Sequence, residues 1–220
     1  MAQIDTLLFD LDGTLVDTEP AAARAIENTF LGWGVQIAKE DARVIAGKTW
    51  ASAFEYLFKK YPIPMPAEDA GALLIERYRQ NIETGLIEVP GAAVAVKELA
   101  TRYKIGLVSG SHRKEIFYAL DHLQIRQHFE VVLGAEDYPR SKPAPDGYLK
   151  ALTLLGKKPE NTLIFEDSFP GITSARSAGA FVVAITQTNH FQQDISQAHH
   201  QIPNWLGINS DWIHALSQKL

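Results

Sequence analysis

The chain contains no cysteine among its 220 residues. Disulfide bonds, thiolate nucleophiles and cysteine-ligated zinc are therefore excluded. It also has no excess of positive charge, since 21 Lys and Arg stand against 26 Asp and Glu, a formal net charge of -5. Without a basic face or a run of Lys and Arg, nothing attracts the chain to nucleic acid or an anionic membrane, so neither partner is expected.

Long apolar runs and targeting segments are missing as well. No apolar run approaches the ~18 residues of a transmembrane helix. The N-terminal stretch MAQIDTLLFD has no basic region and reaches acidic residues within its apolar stretch, so it does not read as a signal peptide. We therefore expect a cytoplasmic monomer whose length allows one sizeable core, with at most a smaller appended domain.

What the sequence does contain is an alternation of short apolar runs and helical-length segments. The candidate buried strands are 7–9, 105–108, 131–133, 163–165 and 181–185. Helical-length segments at 92–102, 114–123, 146–155 and 171–178 lie between the later strands. This alternation predicts an α/β fold in which a Rossmann-like parallel sheet is built through right-handed crossovers.

Residues 17–86 follow a different pattern, with helical periodicity and no convincing strand. The strongest helices are 21–30, 50–60 and 67–84, and the proline-rich stretch YPIPMPAED joins the last two. We interpret this segment as a small all-helical cap domain inserted after the first strand. Residues 1–16 and 87–220 then form the α/β core.

The stretch LLFDLDGTLVDTE places Asp10 and Asp12 just beyond the first strand, followed at once by Gly13. Ligands of open parallel sheets bind at the carboxyl ends of the strands. Two carboxylates a few ångströms apart repel each other by about 4 kcal/mol at an effective dielectric of about 20. A Mg²⁺ ion would remove this repulsion. The alternative is a surface turn, in which Asp and Gly are common.

Four segments resemble, in order, the signatures of the haloacid dehalogenase superfamily: FDLDGTLVDTE, IGLVSGS, SKPAPDGY and LIFEDSFPGITSARSAGA. Within that superfamily the helical insert is similar to the small cap of the β-phosphoglucomutase and phosphoglycolate phosphatase branch. The resemblance implies that Asp10 is the nucleophile that attacks phosphorus and that Asp12 is the general acid and base. It further implies that Ser109 hydrogen-bonds the transferring phosphoryl group and that Lys142 neutralises the nucleophile and the phosphate.

The same resemblance implies a magnesium site. Its side-chain ligands would be Asp10 and Asp167, with Asp12 contributing its backbone carbonyl and Glu166 in the outer shell. Asp167 or Ser168 could instead cap the next helix, a role compatible with metal binding.

Substrate contacts are predicted in the core and in the insert. Gly110 and Ser111 directly follow Ser109, and within the insert the segment AGKTW suggests Lys48. Arg77 and Arg79 are further candidates. The alternative is that these three residues of the insert do not bind substrate and are ordinary solvent-exposed charges.

The leading hypothesis is a Mg²⁺-dependent phosphatase that hydrolyses small phosphorylated metabolites, such as sugar phosphates, through an aspartyl-phosphate. The alternative is a sugar-phosphate mutase resembling β-phosphoglucomutase. This sequence departs from the mutase pattern at two positions, which weakens the alternative. Ala22 stands where the pattern has a histidine that assists the acid and base, and Trp50 stands where it has an arginine. Asp12 argues against haloacid dehalogenases and phosphonoacetaldehyde hydrolase, which lack a second aspartate. Intact signatures argue against a purely regulatory module.

Overall fold

The computed structural model describes residues 3–45 and 50–219. The chain forms two compact units. One unit runs up to Asp17 and resumes at Glu88, and the other comprises Thr18–Ile87. The second unit is therefore an insertion into the first.

The first unit is built on a six-stranded parallel sheet. Its strands, in the order in which they lie side by side, are β5 (Val131–Leu133), β4 (Lys104–Val108), β1 (Thr6–Phe9), β6 (Thr162–Glu166), β7 (Phe181–Ile185) and β8 (His200–Ile202). Every residue of β1 and of β6 is buried. Strands that are covered on both faces consist of continuous apolar residues, and this is why the sequence pattern predicts β1 and β6.

Four helices lie between successive strands of this sheet, α5 (Ala92–Leu99), α6 (Arg113–His122), α7 (Asp146–Leu155) and α8 (Phe169–Ser177), and α9 (Ser210–Ser217) follows β8. Fully buried residues such as Leu8, Ile164 and Val182 pack with Tyr148 and Ile172 in one apolar cluster. Ser168 caps α8, since its hydroxyl accepts a 3.2 Å hydrogen bond from the backbone N–H of Gly171. The predicted α/β fold is confirmed.

The secondary structure in the described part of the second unit is helical apart from Ile87 at its end, and comprises α1 (Glu19–Gly32), α2 (Lys39–Ile45), α3 (Trp50–Lys60) and α4 (Ala67–Gly85). The buried residues of α4 include Ala70, Leu74, Tyr78 and Ile82. Their spacing of four places them on one face of the helix, as expected when a single face packs against a core. Two short strands, β2 (Val16–Asp17) and β3 (Ile87–Glu88), pair in a separate sheet where the chain enters and leaves this unit.

A buried carboxylate links α2 and α3. Asp41 accepts hydrogen bonds from the hydroxyls of Tyr56 (2.6 Å) and Tyr61 and from the ammonium of Lys60. The Lys60 hydrogen bond and the two tyrosine hydroxyls lower the pKa of Asp41 to about 2. Asp41 therefore stays ionised at neutral pH and ties two helices together.

Five of the helices and strands described above were not expected from the sequence: α2, α9 and the strands β2, β3 and β8. β8 lies at the edge of the sheet, and its residues His200 and Gln201 are exposed. An edge strand with polar, exposed residues has no apolar run to identify it. None of the helices within the described ranges has the length and apolar character that a membrane span requires.

Candidate active site

The predicted site residues of the core converge at the carboxyl ends of three adjacent strands. Asp10 follows β1, Ser109 follows β4, and Glu166 ends β6 with Asp167 directly after it. The backbone N–H of Asp10 donates to the carbonyl of Phe165 at 3.0 Å, which continues the sheet ladder into the site. Parallel pairing of neighbouring strands therefore brings these side chains together, as expected for an open parallel sheet.

Lys142 reaches the same edge from the loop that precedes α7. Its Nζ lies 2.5 Å from Oδ1 of Asp10 and 2.6 Å from Oε1 of Glu166, and it donates a 3.2 Å hydrogen bond to the carbonyl of Val108. Burial opposes the charged form of Lys142. The two carboxylates outweigh that effect and raise the pKa of Lys142 well above its usual value. The lysine is therefore a fixed positive charge between the predicted nucleophile and Glu166.

The acidic residues are close enough to share a cation. Oxygen atoms of Asp10, Glu166 and Asp167 lie within 4.8 Å of one another. Burial, reinforced by the charge of Glu166, raises the pKa of both Asp10 and Asp167 well above the usual aspartate value, although Lys142 opposes the shift. A divalent cation would relieve this electrostatic strain, and carboxylate oxygens are ligands that Mg²⁺ prefers. The residues present therefore fit the implied metal.

Glu166 is the most completely hydrogen-bonded member of this cluster. Its Oε1 accepts from Lys142 and from the hydroxyl of Tyr148 (2.7 Å). Its Oε2 accepts from the backbone N–H of Asp167 at 3.1 Å and from the hydroxyl of Ser168 at 3.2 Å. Because both oxygens are engaged by the protein, Asp10 and Asp167 are better placed as direct metal ligands than Glu166.

Glycine is required at two positions around these carboxylates. Gly13 has a φ of +87°, and a Cβ there would lie 2.1 Å from Oδ2 of Asp167. At Gly171, in the first turn of α8, a Cβ would lie 1.9 Å from Oε1 of Glu166. Side chains at either position would displace an acidic residue of the cluster.

The predicted acid and base, Asp12, faces two hydroxyl groups. Its Oδ2 accepts hydrogen bonds from Ser111 at 2.7 Å and from Ser109 at 3.1 Å. Ser109 is fully buried, whereas Gly110 is exposed. The hydroxyl groups of Ser109 and Ser111 therefore lie beside the carboxylate of Asp12.

The substrate residues predicted in the insert cannot be placed with those of the core. Lys48 lies outside the described residues. Arg77 and Arg79 lie on α4, within the second compact unit, and are half-buried. Their role in substrate binding remains a prediction.

Several residues that hold this site are not recognisable from the sequence alone. Tyr148 lies in the quoted segment SKPAPDGY, yet nothing in the segment shows that its hydroxyl reaches Glu166. The hydroxyl of Tyr138 donates a 2.7 Å hydrogen bond to the carbonyl of Ser109, and that of Thr14 donates a 3.3 Å hydrogen bond to Oδ1 of Asp167. The only signal in the sequence is that Thr14 and Tyr148 lie within the signature segments.

Comparison with known proteins agrees with this geometry. The chain is 28% identical over 177 residues to a phosphorylated carbohydrates phosphatase from Thermotoga maritima, covering 80% of this chain and 82% of that protein. It is 27% identical over 181 residues to a bifunctional riboflavin kinase/FMN phosphatase from Arabidopsis thaliana, with 81% of this chain aligned. That alignment spans 48% of the plant protein, about half of its length.

Among solved structures, CbbY from Rhodobacter sphaeroides in complex with phosphate matches with a TM-score of 0.78 and 25% sequence identity. The match covers 93% of this chain and 96% of that one. Residues 7–185, which carry all four signature segments, match the family model described as haloacid dehalogenase-like hydrolase. The chain therefore belongs to the haloacid dehalogenase-like hydrolase family.

Proposed function

We propose that this protein is a Mg²⁺-dependent phosphatase that hydrolyses small phosphate monoesters, with phosphorylated sugars as the preferred class, through an aspartyl-phosphate. The observation that carries the proposal is the position of Lys142, which bridges Asp10 and Glu166 beside Asp12 and Ser109. A carboxylate can attack a phosphate dianion only where positive charge offsets their repulsion. The phosphatase names of the relatives support the same reaction class.

The first half-reaction transfers the phosphoryl group to the protein. A carboxylate oxygen of Asp10 forms a bond to phosphorus while the bond from phosphorus to the leaving oxygen breaks. Asp12, entering this step as the carboxylic acid, gives its proton to the leaving oxygen, so that an alcohol departs. Lys142 and the hydroxyl of Ser109 stabilise the charge on the phosphoryl oxygens. Mg²⁺ held by Asp10 and Asp167 would supply further neutralising charge.

The second half-reaction releases phosphate. Asp12, now ionised, takes a proton from a water molecule as that water attacks phosphorus. The bond between phosphorus and Asp10 breaks, which restores the free carboxylate and releases inorganic phosphate. Asp12 is again protonated and is ready for the next substrate.

A phosphate-release screen of phosphorylated metabolites tests this function. We expect hydrolysis with Mg²⁺, no activity in excess chelator, and recovery when Mg²⁺ is restored. Ca²⁺ should support little turnover, because its looser coordination does not fix the attacking geometry. Full activity in chelator, or no hydrolysis of any phosphate monoester, would contradict the proposal.

One experiment separates the phosphatase from the mutase alternative. Trp50 occupies the position at which the mutase pattern has an arginine, and it packs against Phe54 and Tyr78 with ring centroids 5.4 and 5.1 Å away. An aromatic side chain in this setting offers no charge to hold a phosphorylated intermediate. Incubation with β-glucose 1-phosphate, Mg²⁺ and a trace of the bisphosphate should release inorganic phosphate if this sugar is accepted. Accumulation of glucose 6-phosphate would establish the mutase.

A further inference from the structure

The turn that carries Asp12 is not held by its own hydrogen bonds alone. Within the turn, the backbone N–H of Gly13 donates to the carbonyl of Val16 at 2.7 Å, and that of Leu15 donates to the carbonyl of Leu11 at 2.9 Å. The carbonyls of Gly13 and Thr14 accept from elsewhere in the chain. Buried carbonyl groups need such partners, so the turn depends on the segment that supplies them.

Both donors come from the segment that follows β7. The hydroxyl of Thr188 donates to the carbonyl of Gly13, and the indole Nε1–H of Trp205 donates to the carbonyl of Thr14 at 2.7 Å. Thr188 is 8% exposed and Trp205 1% exposed. Neither residue belongs to the four signature segments.

Trp205 is itself fixed by ring packing. The centroid of its ring lies 4.6 Å from that of Phe165 and 5.5 Å from that of Phe9, the apolar residues near the ends of β6 and β1. A third contact lies at the far side of the turn, where Nε2 of His190 is 2.8 Å from Oδ2 of Asp17. The segment after β7 therefore contacts the turn that carries Asp12 at two points and the following strand β2 at a third.

Asp10 does not depend on these contacts in the same way. Its backbone donates to the carbonyl of Phe165 and its side chain is paired with Lys142. The side chain of Asp12 is likewise held, by the hydroxyls of Ser109 and Ser111, but its backbone lies inside the turn, directly before the Gly13 carbonyl to which Thr188 donates. Loss of these donors should therefore move Asp12 more than Asp10.

We propose that Thr188 and Trp205 are positioning residues, whose hydrogen bonds to the turn hold Asp12 where it protonates the leaving oxygen. This inference rests on the proposed phosphatase function. Both residues lie outside the family signatures. They act on the backbone of the turn and not through contact with the substrate.

The leaving group provides a direct test. A p-nitrophenolate departs without a proton, whereas an alkoxide needs the proton from Asp12. The experiment measures kcat/KM for p-nitrophenyl phosphate and for the best alkyl phosphate of the metabolite screen, because kcat/KM reports the steps up to departure of the leaving group. The ratio of the two values isolates the contribution of the acid.

In Thr188→Val and in Trp205→Phe we expect the ratio of kcat/KM for the alkyl phosphate to kcat/KM for p-nitrophenyl phosphate to fall about tenfold or more. A positioned general acid contributes a rate factor of about 10²–10⁴, of which this loss is a part. Thr188→Ser, which keeps the hydroxyl, should restore the wild-type ratio. The ratio measured for Asp12→Asn gives the value expected when the general acid is lost completely. A ratio unchanged in both Thr188→Val and Trp205→Phe would overturn the inference.

Thr162→Val is the matched control for Thr188→Val. Thr162 is also fully buried and donates its hydroxyl to a carbonyl, that of Lys158 at 2.8 Å, but it lies at the opposite end of β6 from the site. A general loss of stability would lower both kcat/KM values in this variant and leave the ratio unchanged. A wild-type protein that hydrolyses neither substrate would overturn the proposed function, and the positioning inference with it.

Discussion

Tyr148 and Glu166 are joined by a 2.7 Å hydrogen bond between two side chains that are fully buried. Glu166 also accepts from Lys142, so this hydroxyl orients a carboxylate that in turn holds the lysine. A tyrosine on α7 thereby supports residues at the ends of three strands. Its removal should affect the acidic cluster as a whole.

Tyr148→Phe keeps the ring and removes only the hydroxyl. We expect the free energy of unfolding to fall by about 1–3 kcal/mol, because Glu166 loses a buried donor. We also expect Mg²⁺ activation to need about tenfold more metal, because Glu166 holds Lys142 and thereby supports Asp10, a candidate metal ligand, from the outer shell. Urea unfolding and a Mg²⁺ titration of activity measure the two effects.

Tyr103→Phe is the matched control. The Tyr103 hydroxyl donates to the carbonyl of Ser210 at 3.4 Å, a long hydrogen bond in the same unit. Stability should change by no more than about 0.5 kcal/mol, and the Mg²⁺ titration should be unchanged. Equal effects of the two substitutions would show that the Tyr148 hydroxyl has no special relation to the site.

Lys142→Met removes the charge that separates Asp10 from Glu166. The two carboxylates would remain buried without their cation, at a cost of about 3–5 kcal/mol. Activity should fall about 10²–10³-fold as charge stabilisation of the phosphoryl group is lost. Chemical denaturation and steady-state kinetics provide the measurements.

Lys157→Met tests the same substitution in a more exposed ion pair. Lys157 Nζ lies 2.8 Å from Asp5, and the two side chains are 24% and 39% exposed. Because solvent screens such a pair, we expect at most about 1 kcal/mol of destabilisation and wild-type activity. A Lys142 variant as active as this control would rule out the proposed role of Lys142.

Asp10→Asn should abolish turnover and preserve the fold, since the amide keeps the shape of the side chain and loses its nucleophilic charge. Burial raises the pKa of Asp10, so its ionised form destabilises the metal-free protein at neutral pH. The variant should therefore be slightly more stable than the wild type in chelator. Circular dichroism and phosphate release check both points, and substantial residual hydrolysis by the folded variant would refute covalent catalysis by Asp10.

The second unit should show a pH dependence that originates in Asp41. The pKa of Asp41 lies at about 2 in the folded protein, against an ordinary value of 3.8. Its stabilising contribution is therefore complete above the ordinary value and disappears as the pH falls towards 2. The stability advantage of the wild type over Asp41→Asn should shrink across this interval, as measured by thermal unfolding at several pH values.

Glu55→Gln is the control for this pH series. Glu55 pairs with Lys59 at 2.8 Å, and both side chains are largely exposed, at 69% and 74%. Its substitution should shift the unfolding temperature little at any pH. A constant difference between the wild type and Asp41→Asn from pH 4 to pH 2 would disprove the assignment to Asp41.

The sequence predicted the parts of the fold whose physical cause is local. Continuous apolar runs marked β1 and β6, and α7 begins and ends where its periodicity predicts. The pattern could not reveal β8, because an exposed edge strand needs no apolar residues. The sequence pattern could also not identify residues whose role depends on a partner that is distant in the chain. The hydroxyl of Tyr148 acquires its role only when α7 packs beside the end of β6.

The hydrogen bond between Trp205 and Thr14 joins residues that are 191 positions apart. Translation produces the turn that carries Asp12 first, and the indole that completes it follows only after β8, the last strand of the sheet along the described chain, has been made. Until then the carbonyl of Thr14 lacks this donor, although β1 can already pair with β4 and later with β6. The nascent chain can therefore complete this turn only after Trp205 has left the ribosome, and a chain truncated before Trp205 would carry Asp12 in a turn that lacks this hydrogen bond.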